Sequence, residues 1–243
     1  MLDLSQILHF GEKLVLIRHQ RMTKKVLKPM KKHFAALFIT IFTTVMFSAA
    51  ASAVPLRFQE GVHYKVIGDT PTATPTVTEY FSYFCGHCYR FEMVAKELEK
   101  GLPDGAKFKK SHVDFVSRTP KDIQFALTKA VVIGKKLNLS HKFNDVIFKS
   151  IHQERKQFTS EAEVVDLLVS VGADKKKVES LMKSFGVKNA AKKMKTMQDD
   201  LSSRQILTSV PMFVINGKYK VIGDKLKSMD DYTSLVDYLL AMK

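Results

Sequence analysis

Residues 77–88 read Val77-Thr78-Glu79-Tyr80-Phe81-Ser82-Tyr83-Phe84-Cys85-Gly86-His87-Cys88. The first half is rich in β-branched and aromatic residues and predicts a strand. Past it, Phe91, Val94, Ala95 and Leu98 recur at helical spacing. Gly101 and Pro103 stop that helix. A strand ending at Phe84 and a helix starting near Gly86 place Cys85 at the helix N-terminus. Unpaired N–H groups and the helix dipole favour negative charge there, and a thiolate is such a charge. Helix N-termini and Cys-x-x-Cys spacing lower cysteine pKa values in general. Cys88 sits one turn further in, close enough to close a disulfide with Cys85 and better buried. The expected division of labour has Cys85 forming a mixed disulfide and Cys88 resolving it. His87, inside the same turn, adds a positive or hydrogen-bonding contribution.

These are the only two cysteines in 243 residues. A disulfide-stapled scaffold needs more, at wider spacing. A bridge across so short a loop constrains the unfolded chain little, so the pair reads as reactive rather than structural. Structural zinc takes four ligands, and one Cys-x-x-Cys supplies two. His87 shares their turn and is badly placed to complete a tetrahedron. The expectation is therefore no metal and no cofactor beyond a redox-active Cys85–Cys88 disulfide. His63, His112, His141 and His152 stand alone in unrelated segments and read as surface or packed residues, with His112 on a strand that can run beside the cysteines.

The most apolar run is residues 34–47, FAALFITIFTTVMF. It is short of the roughly 20 residues of a membrane span. Lys31 and Lys32 precede it and Ala51-Ser52-Ala53 follows. Charge, a short apolar run and a small-x-small exit make a cleaved secretory signal over residues 1–53, with Met30, or else Met22, as the expected true start. The chain carries 39 Lys and Arg against 24 Asp and Glu, and without residues 1–53 the count is 31 against 22. The lysines are scattered, as on solvated helix faces, and no interleaved basic–aromatic motif points to nucleic acid.

Tyr64 to Ile67 and Ala106 to Phe115 are further strand candidates. From Thr119 to about Gln205 the pattern is helical, with stripes at Ile123, Leu127, Ala130 and Val131, then at Val164, Leu167, Leu168 and Val171. Asp174 is a candidate cap for a third segment, and Lys188 to Leu201 reads as a longer helix. Strand character returns at Met212 to Ile215, Asn216-Gly217 predicts a tight turn, and Tyr219 to Ile222 is its hairpin partner. A last helix has Ser228 as N-cap and Tyr232, Leu235, Val236, Leu239 and Leu240 as its buried stripe. Without the helical block, βαβ followed by ββα remains. The fold class is α/β, a sheet unit interrupted by an all-helical insertion, divided at 54–117, 118–205 and 206–243.

The block Glu79 to Glu92, with Leu102-Pro103-Asp104-Gly105-Ala106-Lys107, His112-Val113-Asp114-Phe115 and Val210-Pro211-Met212-Phe213-Val214-Ile215-Asn216-Gly217-Lys218-Tyr219, resembles the DsbA family of periplasmic thiol:disulfide interchange proteins. The resemblance implies a thioredoxin fold with an inserted helical domain and a periplasmic monomer. It implies a disulfide donated to reduced, unfolded exported polypeptides and reoxidation by a DsbB-like quinone-linked membrane oxidase. It places Pro211 as a cis-proline beside the disulfide, leaving the Val210 backbone to pair with an extended substrate. Glu79 matches a buried carboxylate beneath the cysteines, Lys110 a lysine near it, and Glu92 a charged residue on the active-site helix. Taken alone, Glu79 reads as a solvent-facing strand residue. The family's usual proline is replaced here by Gly86, giving the Cys-Gly-His-Cys of protein disulfide isomerases. A disulfide isomerase or reductase is therefore the second reading, and a peptide-binding chaperone with incidental cysteines the third.

Overall fold

The computed structural model describes residues 57–117 and 119–242. The expected signal segment and the Met30 or Met22 start lie outside the described residues. Five strands form one mixed sheet: β1 (Tyr64–Val66), β2 (Thr76–Phe81), β3 (Lys107–His112), β4 (Met212–Ile215) and β5 (Tyr219–Val221), in the order β1-β5-β4-β2-β3. β2 runs parallel to β3, with Glu79 opposite Lys110, and antiparallel to β4, with Glu79 opposite Phe213. It is thus hydrogen-bonded on both sides. The hairpin from β4 to β5 turns on Asn216 and Gly217 at φ 53° and 67°, the left-handed pair that a two-residue turn requires.

Two helices cover one face of the sheet: α1 (Gly86–Lys100) and α7 (Met229–Ala241). Ala95 and Leu98 of α1 and Leu235, Val236 and Leu239 of α7 bury against Val77, Phe213 and Ile215. The buried Asn216 side chain joins these pieces. Its Oδ1 accepts from Thr76 N at 3.0 Å, and its Nδ2 donates to the Leu239 and Leu240 carbonyls at 3.2 Å.

Between β3 and β4 lie α2 (Lys121–Lys136), α3 (Ser140–His152), α4 (Glu161–Ser170), α5 (Lys175–Lys183) and α6 (Phe185–Ser203). Short polar caps punctuate them: Ser160, Asp174 and Ser184 each accept from an N–H of the following first turn. Ser184 starts α6 earlier than the apolar stripe predicts. The helical core of Ile123, Leu127, Phe143, Ile147, Phe148 and Leu168 runs without a break into Phe81, Tyr83 and Cys88. The insertion is therefore packed directly behind the cysteine turn. The strand expected over Ala106 to Phe115 ends at His112, because β2 ends opposite it at Phe81. Beyond that point Asp114 N finds the Gln198 side chain instead.

Leu127 is fully buried at the centre of the insertion. Leu127→Ala should cost about 2–5 kcal/mol of folding free energy, measured by urea denaturation. A loss under about 1 kcal/mol would mean that this core is loosely packed.

Candidate active site

The chain leaves β2 at Phe81, turns through Ser82 to Phe84, and enters α1 with Cys85 as its N-cap. The turn is held from several sides. Ser82 Oγ accepts from Phe84 N at 3.2 Å. The buried Tyr83 hydroxyl donates to Asn144 Oδ1 of α3 at 2.6 Å. Nε2 of His152, also on α3, lies 2.8 Å from the Tyr83 carbonyl oxygen. The His152 ring stacks on Tyr89 at 5.0 Å and 4°.

Both cysteines are free thiols in this structure, Cys85 half-buried and Cys88 fully buried. Cys85 Sγ accepts from Cys88 N at 3.3 Å and approaches the Val210 carbonyl oxygen at 3.5 Å. The Val210–Pro211 peptide is cis. Burial pushes the Cys88 thiol well above its ordinary value, and the nearby Cys85 and Glu79 add to the rise against a backbone contact from Ser82. His87 is exposed on the outer side of α1, its ring edge-on to Phe91 at 6.0 Å.

Beneath the cysteines lies a buried charge cluster. Lys110 Nζ reaches Glu79 Oε2 and Glu92 Oε2, each at 2.7 Å, and sits 4.5 Å from the Phe81 ring centre. Parallel pairing of β2 with β3 brings Glu79 and Lys110 side by side, and α1 delivers Glu92 seven residues after Cys85. Glu79 is 0% exposed, which corrects its solvent-facing reading. A strand with a neighbour on each side and helices over its face has no solvent side at that position. Glu79 Oε1 has no hydrogen-bond partner among the described residues. Burial disfavours the Lys110 ammonium, but the two carboxylates outweigh it and hold its pKa above the ordinary value.

Cys85 and Val210 thus meet at the surface beside the cis Pro211, with Cys88 buried behind them, Glu79, Lys110 and Glu92 below and His87 to one side. Sequence reasoning missed His152, Tyr83 and Asn144. His152 lies 67 residues from Cys85 along the chain, and no local pattern ties it to the cysteine turn. His112 lies behind the site, within 5.7 Å of the Phe81 ring and 5.1 Å of Tyr83. Burial pushes it down to about 3, against a smaller opposing effect of Asp114, and keeps it neutral. His63 accepts from Gln59 N, and His141 lies beside Glu99, both away from the cysteines.

Burial raises the Glu79 carboxyl from 4.5 to about 7. The Lys110 ammonium opposes the rise, and the Glu92 carboxylate adds to it. A carboxyl raised on folding holds its proton more tightly in the native state. Its contribution to stability is full below about pH 4.5 and is lost as pH rises through about 7. Glu79→Gln removes this titration. Wild type should lose about 3 kcal/mol relative to that variant across this interval in urea titrations. A stability difference that stays flat with pH would show that Glu79 is not raised.

Comparison with known proteins places these features in one family. The sequence model of the DSBA-like thioredoxin domain matches residues 76–236. The thiol:disulfide interchange protein DsbA of Pectobacterium carotovorum subsp. carotovorum is 30% identical over 223 residues, covering 88% of this chain and 100% of the relative. DsbA of Yersinia pestis is 29% identical over 203 residues, covering 80% of this chain and 94% of the relative. Crystallographic DsbA from Klebsiella pneumoniae superposes with TM-score 0.65 at 26% identity, covering 77% of this chain and 100% of that one. A Proteus DsbA cysteine-to-serine variant, solved with a non-covalently bound peptide, PWATCDS, gives the same TM-score at 25% identity and the same coverage. The chain belongs to the DSBA-like thioredoxin domain family and is a thiol–disulfide oxidoreductase.

Proposed function

We propose that the protein is a periplasmic oxidase that donates a Cys85–Cys88 disulfide to reduced, unfolded exported polypeptides. The observation that carries this reading is the asymmetry of the two sulfurs. Cys85 is accessible and receives an N–H at its sulfur, whereas Cys88 is sealed in the core. A substrate thiolate attacks Cys85 Sγ, forming a mixed disulfide and releasing Cys88 as the leaving sulfur. A second substrate thiolate then attacks the substrate sulfur of that bond. Cys85 departs as a thiolate, and the substrate keeps a new disulfide. Two electrons pass to the protein, which ends as the dithiol. A DsbB-like quinone-linked membrane oxidase would restore the disulfide.

Burial makes a Cys88 thiolate unfavourable, so the released sulfur takes a proton. Glu79, whose charge is felt at the Cys88 thiol, supplies or relays one, with Oε1 unpartnered among the described residues and its pKa raised to about 7. Lys110 and Glu92 hold that carboxyl in place. His87, exposed on the first turn of α1, adds positive or hydrogen-bonding character near the exchanging sulfur. The Val210 backbone beside Cys85 suits strand-like pairing with an extended peptide. The chemistry needs no cofactor besides the disulfide, and one chain carries all of these groups. A monomer exported by a cleaved leader fits this role. The isomerase or reductase reading rests on Gly86 in the Cys-Gly-His-Cys motif.

Two measurements test the proposal. Offered a disulfide-bonded test peptide, Cys88→Ser should accumulate mixed disulfides, as the Cys85 thiolate attacks the peptide disulfide and expels one peptide sulfur as thiolate, at least tenfold more than Cys85→Ser, on non-reducing gels with mass mapping. Equal trapping by both variants would overturn the division of labour. Gly86→Pro tests the motif. A Cβ at Gly86 would meet Arg90 Nη1 at 3.6 Å and His152 Cε1 at 4.0 Å, both ordinary contacts. Cys88, not Gly86, supplies the N–H recorded at the Cys85 sulfur. Proline fixes the first turn and gives up only an N–H that helices leave unpaired there. Gly86→Pro should therefore make the protein more oxidising in equilibration with glutathione. An unchanged or more reducing couple would show that the Gly86 N–H matters more than the stiffness of the turn.

A further inference from the structure

The sheet face opposite α1 and α7 borders a cavity of about 990 Å³, at the upper end of the range of small-molecule sites. Tyr80 and Val214 line it from the sheet, Val131 from α2, and Met194 and Met197 from α6. It continues round the free edge of β3 to Glu92 and Glu99 of α1. The charges along it are uneven. Each lining carboxylate has a basic neighbour: Glu92 has Lys110 at 2.7 Å, Glu99 has His141 at 3.6 Å, and Asp200 has Arg204 at 3.3 Å. Lys96 is likewise paired, with Asp145 at 2.6 Å. Lys109, Lys135 and Lys193 are left without a carboxylate partner among the described residues. They come from three separate elements, β3, α2 and α6.

A second, independent feature marks the same wall. Ser111 is only 4% exposed, lines the cavity, and its hydroxyl has no hydrogen-bond partner among the described residues. It lies two residues from Lys109 on β3, so both project to the same face. A buried hydroxyl without a partner costs about 1–3 kcal/mol. Like charges gathered from three elements cost energy that an anion among them would relieve. The three lysines are exposed, and partial burial, with Lys135, Lys107 and Lys193 close by, depresses the Lys109 pKa. An anion with an apolar body satisfies the lysines, the hydroxyl and the apolar wall together.

We propose that this cavity binds a single-chain anionic amphiphile of the fatty-carboxylate class. Lys109, Lys135, Lys193 and the Ser111 hydroxyl hold the carboxylate, and the alkyl chain lies along Val131, Met194 and Met197. The cavity is not lined by Cys85, Cys88, Val210 or Pro211, and its occupancy does not depend on the proposed oxidase role.

Titration calorimetry of the purified protein with dodecanoate, below its micelle concentration, tests the proposal. One molecule should bind per chain. Lys109→Glu with Lys193→Glu should weaken binding at least tenfold, and Ser111→Ala several-fold, with peptide oxidation unchanged in all variants. Dodecyl maltoside, with the same tail and no charge, and acetate, with the head alone, should each bind at least tenfold more weakly than dodecanoate. Backbone amide shifts on binding should centre on Ser111 and Met197. No dodecanoate binding, undiminished binding by the charge-reversed variant, or equal affinity for either control would overturn the proposal. So would shifts confined to the Cys85 turn.

Discussion

The structure depends on one constraint, the enclosure of β2 around Glu79. The strand pairs with β3 and β4, and α1 covers the face that carries Glu79, so that carboxyl cannot reach water. Glu79 sits in the middle of this strand, and a buried carboxylate needs a partner. The parallel register supplies Lys110 directly opposite, and α1 adds Glu92. Once that register is set, the strand ends at Phe81, the turn reaches Cys85 four residues later, and α1 starts in a fixed direction over the charge cluster. The position of the Cys85 sulfur follows from the pairing of a buried acid.

The helical insertion is part of the same arrangement. Its apolar core is continuous with Phe81, Tyr83 and Cys88, and Asn144 and His152 of α3 hold the Tyr83 backbone and side chain. The cysteine turn is thus clamped between sheet and insertion, not merely carried at the end of a strand. This explains how two sulfurs three residues apart face such different surroundings. One lies at a helix N-cap beside the Val210 carbonyl, and the other is packed into a core that raises its pKa.

Much of this is legible in sequence where the determinants are local. The stripes Ile123–Leu127–Ala130 and Leu235–Val236–Leu239 set helix faces. Asn216-Gly217 sets the hairpin, and Ser228 and Asp174 set helix starts. Cys85 at a helix N-terminus follows from the strand-to-helix change around it. What escapes depends on partners distant in the chain. A glutamate in a strand reads as solvent-facing when taken alone, and the neighbouring strands and α1 make this one buried. The family resemblance supplied that placement, as it did for Lys110 and Pro211. His152 carries no local signal at all, because its role comes from α3 crossing behind the turn. β3 ends at His112 because its partner ends, a fact its own residues do not record.

The asymmetry of the two sulfurs is the central claim, and alkylation of the reduced wild-type protein tests it most directly. A short pulse of iodoacetamide on the native dithiol, quenched and mapped by mass spectrometry, gives the rate at each cysteine. Cys85 should react at least a hundredfold faster than Cys88, with the two rates converging only after unfolding in denaturant. Comparable native rates, or faster labelling at Cys88, would contradict the account.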